Sequence, residues 1–492
     1  MLTLAGSATA APVGSSLPGG IDVLLLLGVV GAVMSIMGLR NPPFAAALLL
    51  GAMLFRLALP NLFVADPFVW AYAGLVASMG IWIWRTRDNS PRLGAIELAM
   101  VLYLLWSIGS MILPHEYGPV QYPLDGGKME IPRFILISTV IPFTMYVVGR
   151  FAFERESAVR LILWAIVGFG AYSTVVSIFQ FHAPALVWPR YVVDAPNWEG
   201  RANGVLNQPV GNGIVLIVSF VVAMTLASNH DEPRWQRVLL RLFAVASCYA
   251  IFLTHTRAVY LSFAIVLILG AILAKQFRAG FVITLVITAL LTAVNWSAFT
   301  SSDRAAGGIS SANEIWDRLN LMATSFWAFD QEPWLGWGIG RFVAVNSYHH
   351  QQWSNDVPWI RGLGLASHFN ELGILVELGL LGLFLWLCVL VLMSLSVVRA
   401  YLYLPVSGLT GKRLAFIALM SLVTQIVSGA SADLRLLDFP SAMVFLLVGM
   451  AAGERERIRR TGTPIKVLWK SAAPPVGESS SLVREVVPQE AK

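Results

Sequence analysis

Residues 372–398 read LGILVELGLLGLFLWLCVLVLMSLSVV, with a single charge, Glu377, and no proline. An α-helix needs roughly 20 such residues to cross a bilayer. Working outward from this run, comparable apolar blocks fall at 21–39, 44–62, 68–84, 94–113, 134–149, 158–179, 212–228, 238–254, 258–274, 280–297, 412–430 and 438–453. The expected fold is an all-α polytopic membrane protein with about 13 (12–14) transmembrane helices. Composition agrees. Of the 492 residues, 57% are hydrophobic and 13% charged, about half the roughly 25% charge of a soluble domain.

Charge orients the blocks. Arg40, then Arg85, Arg87 and Arg92, then Arg150, Arg155 and Arg160 follow every second block, and the alternation continues to Arg399, Lys412, Arg413 and the basic tail. Most of the 34 basic residues lie on this side, which the positive-inside rule makes cytoplasmic. The formal charge of +6 is therefore spread between hydrophobic blocks rather than along one basic face, and nucleic acid is not an expected partner. Cys248 and Cys388 lie inside apolar runs and offer neither a disulfide framework nor a metal site. The first twenty residues hold no Lys or Arg and do not read as a cleaved signal peptide.

The expected organisation is a short outward tail (1–20), a bundle of about ten helices (21–297), a large outward loop (298–371), further membrane helices (372–453) and a disordered cytoplasmic tail (454–492). Outward connections at 114–133, 180–211 and 298–371 carry the polar chemistry. In the largest, Ile315, Leu319, Met322, Phe326 and Phe329 recur at helical spacing, with Glu314, Asp317, Arg318 and Ser325 off that stripe. This predicts an amphipathic helix stopping near Pro333, packed on the bundle, covering a lipid-linked substrate, or both.

Nine arginines sit outward against the positive-inside tendency, and guanidinium forks suit phosphate. Each taken singly could as well form an ordinary ion pair or snorkel to headgroups. Arg56 falls inside a block and is a functional candidate by default, or snorkels outward. His368 closes the large loop in Ser-His-Phe-Asn-Glu-Leu-Gly, where a neutral imidazole could act as a general base. His349 and His350 lack a nearby carboxylate in sequence, so no metal and no cofactor is expected. Outward tryptophans 316, 327, 334, 337, 353 and 359 suit sugar stacking and interfacial anchoring equally.

Residues 318–382 resemble the signature region of the O-antigen ligase and Wzy-type polymerase family. Arg318 and Trp327 precede Glu332-Pro333-Trp334-Leu335-Gly336-Trp337-Gly338-Ile339-Gly340-Arg341-Phe342; then come His368 and Glu377-x-Gly379-x-x-Gly382. Upstream, Arg201-Ala-Asn-Gly204-Val-Leu-Asn207-Gln208-Pro209 resembles that family's stretch in which Arg-x-x-Gly is followed by an Asn, and Thr254-His255-Thr256-Arg257-Ala258 its Thr-x-Ser-Arg-Gly/Ala segment. Two positions depart: Thr256 stands for Ser, and Phe369 takes the place of the Asn that usually follows the histidine. The similarity covers roughly residues 195–400.

The resemblance implies a GT-C-like, metal-independent glycosyltransferase in the bacterial inner membrane, its active site facing the periplasm. The donor would be an undecaprenyl-pyrophosphate-linked glycan, and the acceptor a glycan or lipid hydroxyl among membrane lipids. By this resemblance Arg201 and Arg257 bind the pyrophosphate and His368 is the catalytic base. Arg318, Arg341 and Glu377 are supporting residues. The outward N-terminus and thirteen blocks lean toward a polymerase of repeat units, which a chain-length regulator could accompany. A ligase passing finished glycan to lipid A core or protein remains open, and so does a lipid or polysaccharide transporter.

Overall fold

The computed structural model describes residues 38–59, 66–86, 93–118, 130–303, 307–406 and 408–460, and every regular element among them is helical. The principal helices are α1 (Pro42–Leu54), α2 (Pro67–Arg85), α3 (Ala95–Ile112), α4 (Ile131–Ala152), α5 (Glu156–His182), α6 (Pro209–Ala227) and α7 (Arg234–Leu253). They continue as α8 (Arg257–Leu273), α9 (Arg278–Val294), α10 (Ala312–Gln331), α11 (Phe342–Tyr348), α12 (Asn370–Tyr403), α13 (Leu409–Gly429) and α14 (Asp438–Arg460). Eight helices are long and apolar enough to cross a membrane, and α1, α8 and α9 are shorter apolar helices. Twelve of the predicted blocks each coincide with a helix; the first, 21–39, lies almost wholly outside the described residues, as does the tail after 460.

The lateral surface of the bundle is apolar. On α9 only Phe281 is buried, while Val282, Ile283, Val286, Ile287, Leu290, Leu291 and Val294 are exposed. A water-soluble protein would not leave such a face open, whereas lipid solvates it. Inside, α6 is buried over nearly its whole length, as is α14 up to Ala452.

α4 and α14 approach backbone to backbone. A Cβ on Gly149 would collide with Leu446 O, one on Gly449 with Tyr146 O, and one on Gly453 with Arg150 O. Small residues let membrane helices close in this way. Gly449→Val is therefore expected to destabilise the bundle by about 1–3 kcal/mol, the usual cost of overpacking. A lower melting temperature and faster proteolysis of the detergent-purified protein would report it; an unchanged melting temperature would contradict this packing.

Polar contacts mark the two ends of the bundle. At one end Arg133 Nη2 reaches Asp66 at 2.6 Å, Ile339 N donates to Ser110 Oγ at 3.1 Å, and Arg435 Nη1 meets Glu377 at 2.6 Å. At the other, Arg150 pairs with Glu97, Arg160 with Glu232 at 3.1 Å, and Arg413 Nη1 donates to Asn229 Oδ1 at 2.9 Å. Successive helices thus run in opposite directions, and the described parts of the three large connections gather at the first end.

Arg56 corrects the expectation for block 44–62. α1 ends at Leu54, and Arg56 lies in the turn beyond it, its Nη1 donating to Asp438 Oδ2 at 2.7 Å. A partly buried guanidinium needs a counter-charge, which the start of α14 supplies. Arg56 ties two helix ends together at the same end of the bundle as Arg133 and Arg435.

Candidate functional site

The Arg201 stretch is a tight loop capping α6. Gly204 has φ 58°, and a Cβ there would meet the Asn212 side-chain nitrogen at 2.9 Å and its CG at 2.5 Å. Gln208 caps the helix by accepting from Gly211 N at 2.6 Å, and Pro209 opens it. Asn207, also at positive φ (50°), accepts from Asn197 N at 3.1 Å and donates to Ala195 O at 3.1 Å, clamping the loop on itself. Asn212 holds Ala202 O from below at 3.0 Å. From α5, Gln180 donates to Arg201 O at 2.8 Å and accepts from Asn203 N at 3.1 Å.

The turn between α7 and α8 is stitched to this loop. Leu253 O accepts from Ala202 N at 2.8 Å. His255, forced to φ 44°, places its Nδ1 2.7 Å from Gly200 O. A carbonyl only accepts, so His255 Nδ1 carries the proton. These two bonds bring Arg201 and Arg257 together, although 55 positions separate Gly200 from His255.

α10 lies over them. Glu314 in its first turn pairs with Arg201, and Arg257 Nη2 donates to Ser311 O at 2.8 Å. Arg201 also stacks its guanidinium over Trp198 at 5.2 Å. One turn on, Arg318 joins the group, close enough to be repelled by both Arg257 and Arg201. It makes no hydrogen bond or ion pair to any described residue. Burial, followed by those two cations, lowers its pKa, with Asp317 acting the other way. Burial likewise lowers the pKa of Arg201. Guanidinium groups nonetheless remain charged near neutral pH. Three arginines thus share one place, with Glu314 as the carboxylate on Arg201.

His368 stands near Arg318. Its Nδ1 lies 3.0 Å from Ala366 O, so Nδ1 carries the proton and Nε2 presents the lone pair. Burial lowers its pKa below the ordinary 6.5 (the Ala366 hydrogen bond works against this), and Arg318 lowers it further. The imidazole is therefore neutral near pH 7.

Arg341 and Glu377 belong to a second cluster. The Glu332–Gly340 stretch enters a break in α12, where Gly379 adopts φ 66°. Trp337 N donates to Val376 O at 2.8 Å, Gly338 N to Glu377 O at 2.9 Å, and Leu380 N to Pro333 O at 2.8 Å. Gly336 (φ 71°) has no space for a side chain, since a Cβ would meet Gly379 N at 2.5 Å. Fully buried Glu377 accepts from Phe342 N at 3.0 Å and from Arg435 Nη1 at 2.6 Å, and Arg435 also grips Asp433 at 2.7 Å. A Cβ on Gly373 would meet both Arg435 Nη2, at 2.7 Å, and the Ser367 side chain, at 3.1 Å, so this cluster underlies the loop that carries His368. Arg341 instead donates to Tyr117 O at 2.7 Å and Ile339 O at 3.1 Å, anchoring the 110–117 segment.

Sequence reading missed Arg435 and Asp433. The signal was present: an arginine in a short outward connection, two residues after an aspartate, against the positive-inside tendency. It also misplaced the buried face of α10. The buried residues are Asn320, Leu321, Thr324, Ser325 and Ala328, whereas Ile315 and Phe326 are exposed. The loop 346–361 wraps the polar face and satisfies it. Asn320 donates to Pro358 O and Arg361 O at 3.1 and 2.8 Å, and Thr324 Oγ1 accepts from Gln351 N at 3.0 Å. A polar residue with all its partners is as buriable as a leucine. His349 stacks on Trp327 at 4.6 Å and bonds Tyr117, while His350 lies between Asn346 and the Trp359 carbonyl.

Residues 242–387 match the family model described as O-antigen ligase. No curated protein matches the chain. The matched stretch contains Arg257, Arg318, His368, Arg341 and Glu377, with Arg201 upstream of it. At family level it supports a multi-pass membrane enzyme of glycosyltransferase type.

Proposed function

We propose, on the premise of the O-antigen ligase match over residues 242–387, that the chain transfers a glycan from undecaprenyl pyrophosphate to an acceptor hydroxyl. The reaction takes place at the periplasmic face of a bacterial inner membrane. The observation that carries this reading is the convergence of Arg201, Arg257 and Arg318, with a neutral His368 near Arg318.

In this reading the donor pyrophosphate replaces the Glu314 carboxylate on Arg201 and takes up the fork of Arg318. His368 Nε2 removes the proton of the acceptor hydroxyl, whose oxygen attacks the anomeric carbon in line. The bond from that carbon to the pyrophosphate oxygen breaks, and its electron pair leaves on undecaprenyl pyrophosphate, with inversion at carbon. The three arginines stabilise the charge growing on that leaving group, so neither a metal nor a cofactor is required for its departure. Arg318 thereby moves from a supporting role to direct contact, and Arg341, Glu377 and Arg435 hold the loops that aim these groups.

Polymerisation of repeat units is the favoured form, on the thirteen apolar blocks and the charge alternation expected from the sequence. Ligation of finished glycan is the second, favoured by the description of the matched family. A strain lacking this gene, complemented with wild type or with Arg318→Ala, distinguishes them by gel of surface glycans. Single repeat units in place of long chains, rescued by wild type and not by Arg318→Ala at equal membrane abundance, are expected for a polymerase. Long chains stranded on the carrier lipid would mean a ligase, and unchanged glycans would end both readings.

A further inference from the structure

The end of the bundle opposite the arginine cluster holds a cavity of about 460 Å³ lined by Asn229, His230, Gln276, Val406, Gly408 and Arg413. Three connections that the charge pattern makes cytoplasmic meet there: the α6–α7 turn, the α8–α9 turn and the segment entering α13. We propose that this cavity binds a phosphate-bearing anion, supplied either by the headgroup of an anionic inner-leaflet phospholipid or by a soluble phosphate.

Unmatched donors make the case. Asn229 is 2% exposed. Its Oδ1 accepts from Arg413 Nη1 at 2.9 Å, which fixes the amide orientation, because the reverse would set an NH2 against a guanidinium. Asn229 Nδ2 is then buried and meets no acceptor among the described residues, and neither does the buried Arg413 Nε. Two orphaned donors on two interacting side chains that line one cavity call for an acceptor-rich ligand.

The surrounding charge gives the sign of that ligand. Arg237 Nη1 lies 3.4 Å from His230 Nδ1, which leaves His230 Nε2 as a further donor. Lys275 is adjacent to Gln276 and close enough to Lys412 to repel it. The buried carboxylate of this connection, Glu232, is engaged by Arg160 at 3.1 Å. Basic pockets between helices on the cytoplasmic side are suited to anionic headgroups. This site is separate from the glycan-transfer site and independent of that reaction.

The test uses the purified full chain with Asn229→Asp and Lys275→Glu. Asn229→Asp keeps the acceptor for Arg413 and replaces the orphaned donor with an oxygen that repels an anion. Lys275 is exposed, so Lys275→Glu alters the field without touching the core. Native mass spectrometry compares retention of phosphatidylglycerol and phosphatidylcholine, and melting temperature is followed with inorganic phosphate. Wild type is expected to favour phosphatidylglycerol by about tenfold or to gain melting temperature with phosphate, with both responses weakened in the two variants. Lipid preference without a phosphate response identifies a headgroup site, and the converse a soluble phosphate. Equal retention of both lipids with no phosphate response, or variants that bind as wild type does, would overturn the proposal.

Discussion

Replacing His368 with alanine is expected to lower glycan transfer by about 10²–10⁴-fold, the range over which a positioned general base contributes. Donor binding should persist, because the arginines that hold the pyrophosphate are intact. The Ala366 carbonyl fixes the proton on Nδ1 and leaves Nε2 as the base. The pH profile gives the more discriminating readout. Only neutral imidazole accepts a proton, so activity falls as pH drops through the histidine pKa. Burial, and then Arg318, depress that pKa below 6.5, so the acid limb should lie below 6.5. Arg318→Gln removes one positive neighbour, and the limb of its residual activity should move up toward 6.5. Transfer by His368→Ala at the wild-type rate, or an acid limb moving the other way in Arg318→Gln, would falsify the assignment of the base.

Arg435→Ala should be the most damaging single change to the fold around the site. Arg435 is almost fully buried and pairs at 2.6 Å with Glu377 and at 2.7 Å with Asp433. Removing it takes away the guanidinium that two buried carboxylates share, which typically costs about 3–5 kcal/mol. The loss should propagate. Glu377 would release Phe342 N, and the ground beneath Ser367 and His368 would loosen with it. Thermal unfolding of the detergent-purified variant should begin well below that of wild type. Arg435→Lys, which keeps the charge and loses the fork, should fall between the two. A melting temperature unchanged in Arg435→Ala would show that the cluster is not what supports this loop.

The membrane helices were legible because lipid imposes a simple rule, a long apolar run, and eight of the described helices are long and apolar enough to obey it. The motif residues were legible too. Gly336, Gly338 and Gly340 all adopt positive φ, and α10 ends just before Pro333. The inward face of α10 was not, since periodicity counts apolar side chains, whereas Asn320 and Thr324 bury through hydrogen bonds to a loop 41 and 27 positions away. The place of Arg56 was hidden for a similar reason, since its partner Asp438 lies 382 positions along the chain.

By itself the sequence determined an all-helical membrane bundle, its alternation, and the places where charged and glycine-rich stretches interrupt it, because hydropathy, charge sidedness and backbone freedom are properties of short segments. Only the tertiary structure decided that Arg318 stands with Arg201 and Arg257, that Arg341 anchors a neighbouring loop, and that Arg435 and Asp433 lie beneath His368. Those are relations between charges on different helices, where distance through space rather than position along the chain sets the energy.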